Sequence, residues 1–173
     1  ENFKYVLFYT LAIYTGFRRG ELLGLEWKDI DFSTNMVTIN RTSLYSKSQG
    51  GTYTETPKTE TSYRTLKLPD EVIGTVLHWR DLQDKQRNKV GSKWQETDRI
   101  FTKWNGLPLD GTAPGYFFKQ FCERTGMRYV CNHSFRHFYT TVLISNGIDV
   151  KTVQSCLGHS TPCLLYTSDA ADD

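Results

Sequence analysis

The chain has 173 residues, enough for one domain that buries roughly 70% of its unfolded surface. Hydrophobic residues at 38% and charged residues at 23% exclude a wholly disordered chain, and no run of 18 apolar residues exists to cross a bilayer. The net charge of +2 understates the body of the protein. Asp169, Asp172 and Asp173 crowd the last five residues, which leaves 16 of the 19 acids against all 21 cations elsewhere.

The chain starts at Glu1 without an initiator Met or a signal-like n-region, so it reads as part of something longer. Cys122, Cys131, Cys156 and Cys163 are spaced by 9, 25 and 7, with no C-x-x-C pair. That spacing fits reduced thiols better than a zinc ribbon or a disulfide framework.

Apolar residues at Phe3, Val6, Leu7, Leu11 and Tyr14 follow a helical period after Asn2, and Gly16 ends it. Phe8, Tyr5, Tyr9 and Tyr14 in this helix are expected in the core. A second helical pattern runs over 19–27, and Asp29-Ile30-Asp31 turns the chain. Residues 36–44 alternate and are rich in β-formers, residues 46–52 read as a polar loop, and residues 53–56 and 63–68 are further strands around a turn at 58–61. The expected product is a three-stranded antiparallel sheet set among helices.

Pro69-Asp70 opens a helix with Val72, Val76, Leu77 and Trp79 that fades into the charged run 81–89, with His78 on its edge. Residues 98–101 are a short strand candidate. Helices are expected over 114–125, from about Ser134 to the cap at Asn146-Gly147, and from Asp149 to Cys156. The fold class is α+β, mainly helical.

Three stretches carry chemistry. At Thr15-Gly16-Phe17-Arg18-Arg19-Gly20-Glu21 a helix break exposes Arg18, and Glu21 one turn on can hold its guanidinium. An ordinary turn with an exposed ion pair fits this stretch equally well. His133-Ser134-Phe135-Arg136 opens a helix, so an imidazole and a permanently charged guanidinium share one face beside a helix N-terminus that favours anions. Alone, this pair is more often an ordinary surface feature. His159 in Leu157-Gly158-His159 follows a helix end, which by itself is usually plain surface. Between Arg41 and Lys67, five cations (Arg41, Lys47, Lys58, Arg64 and Lys67) face Glu55 and Glu60, a patch suited either to phosphate or to a solvated hairpin face. His137 lies one turn beyond His133, but no Glu stands between them, and a metal site is disfavoured.

Together, Thr15-Gly16-Phe17-Arg18-Arg19-Gly20-Glu21-Leu22-Leu23-Gly24-Leu25-Glu26-Trp27, Thr56-Pro57-Lys58-Thr59-Glu60-Thr61-Ser62-Tyr63-Arg64, His133-Ser134-Phe135-Arg136-His137 and Leu157-Gly158-His159-Ser160 resemble the catalytic domain of the phage-integrase (tyrosine recombinase) family. The motifs occur in the family's order and span about residues 1–160. The resemblance implies that fold and a site-specific recombinase that breaks and rejoins double-stranded DNA through a 3′-phosphotyrosyl intermediate. It implies no cofactor and no metal, a homotetramer on attachment-site DNA, a bacterial cytoplasmic setting at the nucleoid, and further DNA-binding domains upstream.

By the same resemblance Arg18 and Arg136 clamp the non-bridging oxygens and His159 adds a hydrogen bond. Lys58 protonates the leaving 5′ oxygen, His133 is the general base, and Glu21 is supporting. Arg41 and Arg64 are expected to contact DNA. Ser134 stands where the family usually has Asp or Thr. A type IB topoisomerase or a non-catalytic DNA-binding module are the alternatives.

The family also needs a tyrosine after the Leu-Gly-His motif. The one later tyrosine, Tyr166, is seven residues past His159, short of the family spacing and without its Thr-Thr-x-x context. Residues 163–172 instead match a translation of TGT CTC TTA TAC ACA TCT GAC GCT GCC GAC, the mosaic end and adapter of transposase-based sequencing libraries. The expected division is a catalytic domain over 1–162, truncated at both ends, and a non-native tail over 163–173. A fragment of that kind lacks its nucleophile and is expected to be inactive.

Overall fold

The computed structural model describes residues 2–46, 51–56 and 63–158. Helix α1 (Phe3–Thr15) runs through the centre and buries Leu7, Phe8 and Leu11 completely or nearly so. Their three- and four-residue spacing places them on one stripe, and each large side chain so buried contributes roughly 1.5–3 kcal/mol. Lys4 is buried on the same helix because its Nζ donates to the Thr102 carbonyl at 3.2 Å. Tyr5 stacks on Phe117, and the Tyr9 hydroxyl donates to the Pro114 carbonyl and Asn132 Oδ1, both at 2.8 Å. Tyr14, expected inside, is half exposed.

Gly16 ends α1 with φ +62°, its N–H donating to Ala12 O. A Cβ there would lie 2.4 Å from the Tyr139 ring, so both the left-handed backbone and the close approach require glycine. After Phe17 and the extended Arg18, α2 (Arg19–Gly24) returns to the core through Leu22 and Leu23. A single 3-10 turn (Trp27–Asp29) follows where the helical pattern had been expected to continue.

The β region differs from a plain three-stranded insert. Strands β1 (Ile30–Asp31), β2 (Met36–Ile39) and β5 (Arg64–Lys67) form one antiparallel sheet in the order β1-β2-β5, with Val37 opposite both Ile30 and Leu66. Among the described residues, strands β3 (Thr42–Ser46) and β4 (Gly51–Glu55) pair only with each other. The expected strand over 36–44 is therefore two strands, broken at Asn40 and Arg41. Both of those side chains turn back to the buried Asp29 carboxylate.

The β3–β4 hairpin rests on α2. A Cβ on Gly20 would come within 2.9 Å of the Ser43 carbonyl, so the strand lies directly on the helix backbone. Arg99 ties the two together from below by donating to the Gly24 carbonyl at 2.7 Å and to Thr54 Oγ1. Residues 98–101 are not a strand; Arg99 makes a single bridge to Glu26.

Helix α3 (Asp70–Val90) carries acids in its first turn and bases in its last, matching the helix dipole. It buries Val72, Ile73, Val76 and Trp79 against α1, and His78 meets Phe3 edge-on. Its buried Gln83 donates to the carbonyls of Arg99 and Ile100 and to Thr102 Oγ1. Helices α4 (Ala113–Thr125), α5 (Asn132–Ser145) and α6 (Val150–Leu157) form the other flank. Asp149 caps α6, accepting from Thr152 N at 3.0 Å. No helix among the described residues is long and apolar enough to cross a membrane.

Candidate nucleic-acid interface

Arg18 sits in extended backbone just before α2, where the break at Gly16 turns its side chain outward. Glu21, one turn on, reaches back: its Oε2 accepts from Arg18 N at 2.6 Å and its Oε1 from Arg18 Nη1 at 3.0 Å. Glu21 is buried, whereas the Arg18 side chain is 44% exposed. The supporting contact read from the three-residue spacing is therefore present.

Arg136 comes from the second turn of α5 and is the one residue of that helix that is fully buried. Its Nη1 donates to the Gly16 carbonyl at 2.6 Å and its Nη2 to the Leu157 carbonyl at 2.5 Å. These are buried C-terminal carbonyls of two helices, α1 and α6, left without a partner inside their own helix, and a cation satisfies both. The bonds draw three chain segments to one point. Burial, and then the nearby Arg18 charge, push the Arg136 guanidinium down to about 9, so it stays charged at neutral pH.

His133 projects from the first turn of α5, its ring edge-on to His137 with centroids 4.5 Å apart. Partial burial first, then the charges of His137, Arg136 and Arg18, hold its pKa below the usual histidine value. The imidazole is neutral near pH 7 and has a lone pair to accept a proton. Among the described residues no group of three or more His, Cys, Asp or Glu side chains is placed to hold a metal.

Arg18, Arg136 and His133 line one open groove of about 1050 Å³, together with Arg19, Ser43 and Tyr129. Its acid, Asp110, is matched by Lys103 at 2.9 Å, so the floor presents net positive charge. The start of α5 adds backbone N–H groups and a positive dipole end to the same wall. Two guanidinium groups lining one polar groove can hold one tetrahedral anion between them.

Two other cations are not where the sequence suggested. Arg41 was expected to contact DNA, but it turns inward to Asp29, to Glu26 at 3.2 Å and to the Gly24 carbonyl at 3.4 Å. Arg64 was expected on the same surface. Its side chain is 5% exposed and both terminal amines donate to Glu21, at 3.1 and 2.6 Å, with the Phe17 ring 4.9 Å away. Buried acids (Asp29, Glu21) need these cations more than the surface does. Lys58, His159 and Tyr166 lie outside the described residues. The hairpin residues of the groove, Thr42, Ser43 and Tyr45, carry no motif, and sequence reasoning passed over them.

Residues 2–165 match the sequence profile described as the phage integrase family. The chain belongs to the phage integrase family. This integrase-family chain is 35% identical over 162 residues to a tyrosine recombinase XerC-like protein of Caldanaerobacter subterraneus subsp. tengcongensis, covering 88% of this chain and 41% of that protein. It is 29% identical over 161 residues to the ICEBs1 integrase of Bacillus subtilis, covering 93% and 43%. The chain thus spans less than half the length of these relatives. Its fold matches the Tn1549 transposon integrase in complex with a circular intermediate DNA at a TM-score of 0.76 and 22% identity, over 93% of this chain and 52% of that one. It also matches the crystal structure of XerA recombinase at 0.73 and 18%, over 99% and 53%. The α+β, mainly helical architecture is that of the tyrosine recombinase catalytic domain.

Proposed function

We propose that this chain is the catalytic domain of a site-specific DNA recombinase, which integrates or excises a phage or mobile element through a 3′-phosphotyrosyl intermediate. The observation that carries the reading is the convergence of Arg18, Arg136 and a neutral His133 on one open, positive groove.

Attack of a phenol on a backbone phosphate puts extra negative charge on the two non-bridging oxygens, and fixed donors stabilise that charge without reorganising. Arg18 and Arg136 take this role in the groove that both line. Arg136 is held by two carbonyls, so little motion is needed at the moment of reaction. His133 accepts the phenol proton. Lys58 returns a proton to the leaving 5′ oxygen, His159 donates one more hydrogen bond, and Glu21 orients Arg18. The partner is double-stranded DNA at an attachment site, engaged by four copies of the full-length protein, in a bacterial cytoplasm.

The test is duplex binding by fluorescence anisotropy against salt. Neutralised phosphates each contribute about 0.9 to the slope of log K on log salt. Arg18→Ala with Arg136→Ala is expected to lower that slope by nearly two and the affinity at least tenfold. Unchanged binding in the double variant would leave only a non-catalytic DNA-binding module. Because Tyr166 is off the family spacing, we expect no covalent product from this chain alone. An SDS-resistant adduct on nicked duplex, abolished by Tyr166→Phe, would contradict that.

A further inference from the structure

Glu21 presents a problem of charge. A buried carboxylate bonded to Arg18 alone would form a neutral pair and cancel the charge the groove needs. The structure supplies a second cation. Glu21 Oε1 accepts from Arg18 Nη1 at 3.0 Å and from Arg64 Nη1 at 3.1 Å; Oε2 accepts from Arg18 N at 2.6 Å and from Arg64 Nη2 at 2.6 Å. A carboxylate has about four acceptor sites, and all four are used here.

The two arginines differ in surroundings. Arg64 is as deeply buried as Glu21, grips it with both terminal amines, lies over the Phe17 ring and is anchored in β5 opposite Ile39. Arg18 commits one amine and leaves its guanidinium 44% exposed in the groove. Arg64 does not line that groove; it borders a separate cleft between β5 and α6.

We infer that Arg64 is the buried counter-ion of Glu21, a positioning residue that leaves the charge of Arg18 free for the phosphate of a DNA strand. This rests on the reading of the groove as a phosphate site. Glu21 and Arg64 balance, and the three groups together carry one net positive charge at the groove. Without Arg64, the Arg18 guanidinium closes onto Glu21 and the site loses a charge, although Arg64 never touches DNA.

The test is a compensation. Arg64→Met in the full chain is expected to weaken binding of a short fluorescein-labelled duplex about tenfold and to lower its salt slope by about one. Adding Glu21→Gln removes the acid that Arg64 balanced, and affinity is expected to return to within about threefold of the parent. A purely structural role gives no such rescue, since the second change removes a further native contact.

A readout that needs no DNA runs beside it. The titration of His133, followed by NMR, senses Arg18, Arg136 and His137. Its midpoint is expected to rise in Arg64→Met and to fall back in the double variant. If the His133 midpoint follows this course but the parent chain binds no duplex, the counter-ion holds and the recombinase reading fails. If folded Arg64→Met leaves the midpoint unchanged, or the double variant is no better than the single, the counter-ion is refuted. Should Arg64→Met not fold, the double variant carries the test, and its failure to fold or to bind the duplex refutes the inference.

Discussion

Helices α1 and α5 lie side by side and are both rich in apolar residues, yet they are held in opposite ways. Helix α1 is fixed by Leu7, Phe8 and Leu11, which the core encloses. Helix α5 leaves Phe138 56% exposed and Ile144 45% exposed, and the residue it buries fully is charged: Arg136, bonded to the ends of α1 and α6. The difference separates two tasks. Burial of apolar area gives the domain its stability without aiming any group at a ligand. A buried guanidinium on two carbonyls contributes less, but it fixes one cation in the lining of the groove.

That contrast can be broken from either side. The largest loss of stability is expected for Leu11→Ala, about 2–5 kcal/mol, because the enclosed site cannot collapse around the missing methyl groups. Chemical denaturation measures it. Phe138→Ser on the exposed face of α5 is the control, expected to shift stability by less than about 0.5 kcal/mol. A comparable loss at both sites would dissolve the distinction.

Next in size is Arg136→Met. It leaves the Gly16 and Leu157 carbonyls without this donor, about 1–3 kcal/mol by the usual cost of an unsatisfied buried group. Hydrogen exchange is expected to speed up in α6 and at the end of α1 while α3 keeps its protection. Uniform acceleration across the domain would show Arg136 to be an ordinary core residue.

A smaller effect sharpens the electrostatic side. Burial, His137, Arg136 and Arg18 together hold His133 below the ordinary histidine value. Between that lowered value and about 6.5, the unfolded chain binds more protons than the folded one, so stability rises with pH through this window and falls as the solution is acidified. His133→Gln is expected to flatten the denaturation midpoint between about pH 5 and 7 relative to the parent chain. An equally steep profile in both proteins would deny His133 its lowered value.

The regular parts of this molecule were legible because they follow one local rule each. The helix ends at Gly16 and Asn146, the start of α3 at Asp70 and the cap at Asp149 need only near-neighbour chemistry. So did the Arg18–Glu21 contact, three residues apart on one turn. Long-range pairing was not legible. The spacing of residues 36–44 cannot show that Arg41 turns back to Asp29, which splits one apparent strand between two sheets.

Arg64 is the clearest case. In sequence it belongs to a basic hairpin; in space it lies against an acid 43 positions away, and a charge count along the chain cannot tell a surface cation from a buried partner. Tyr14 fails for a related reason: a helical period gives the face but not where the core beneath it ends.

The central claim is that phosphate sits between Arg18 and Arg136. It is tested most directly by the guanidinium Nε–Hε NMR signals of arginine-labelled protein, recorded as a short duplex is added. The expected result is large movement of the Arg18 and Arg136 signals, with Arg41 and Arg99, buried in ion pairs with Glu26 behind the hairpin, nearly still. Movement of Arg41 and Arg99 with Arg18 and Arg136 unmoved would contradict the account.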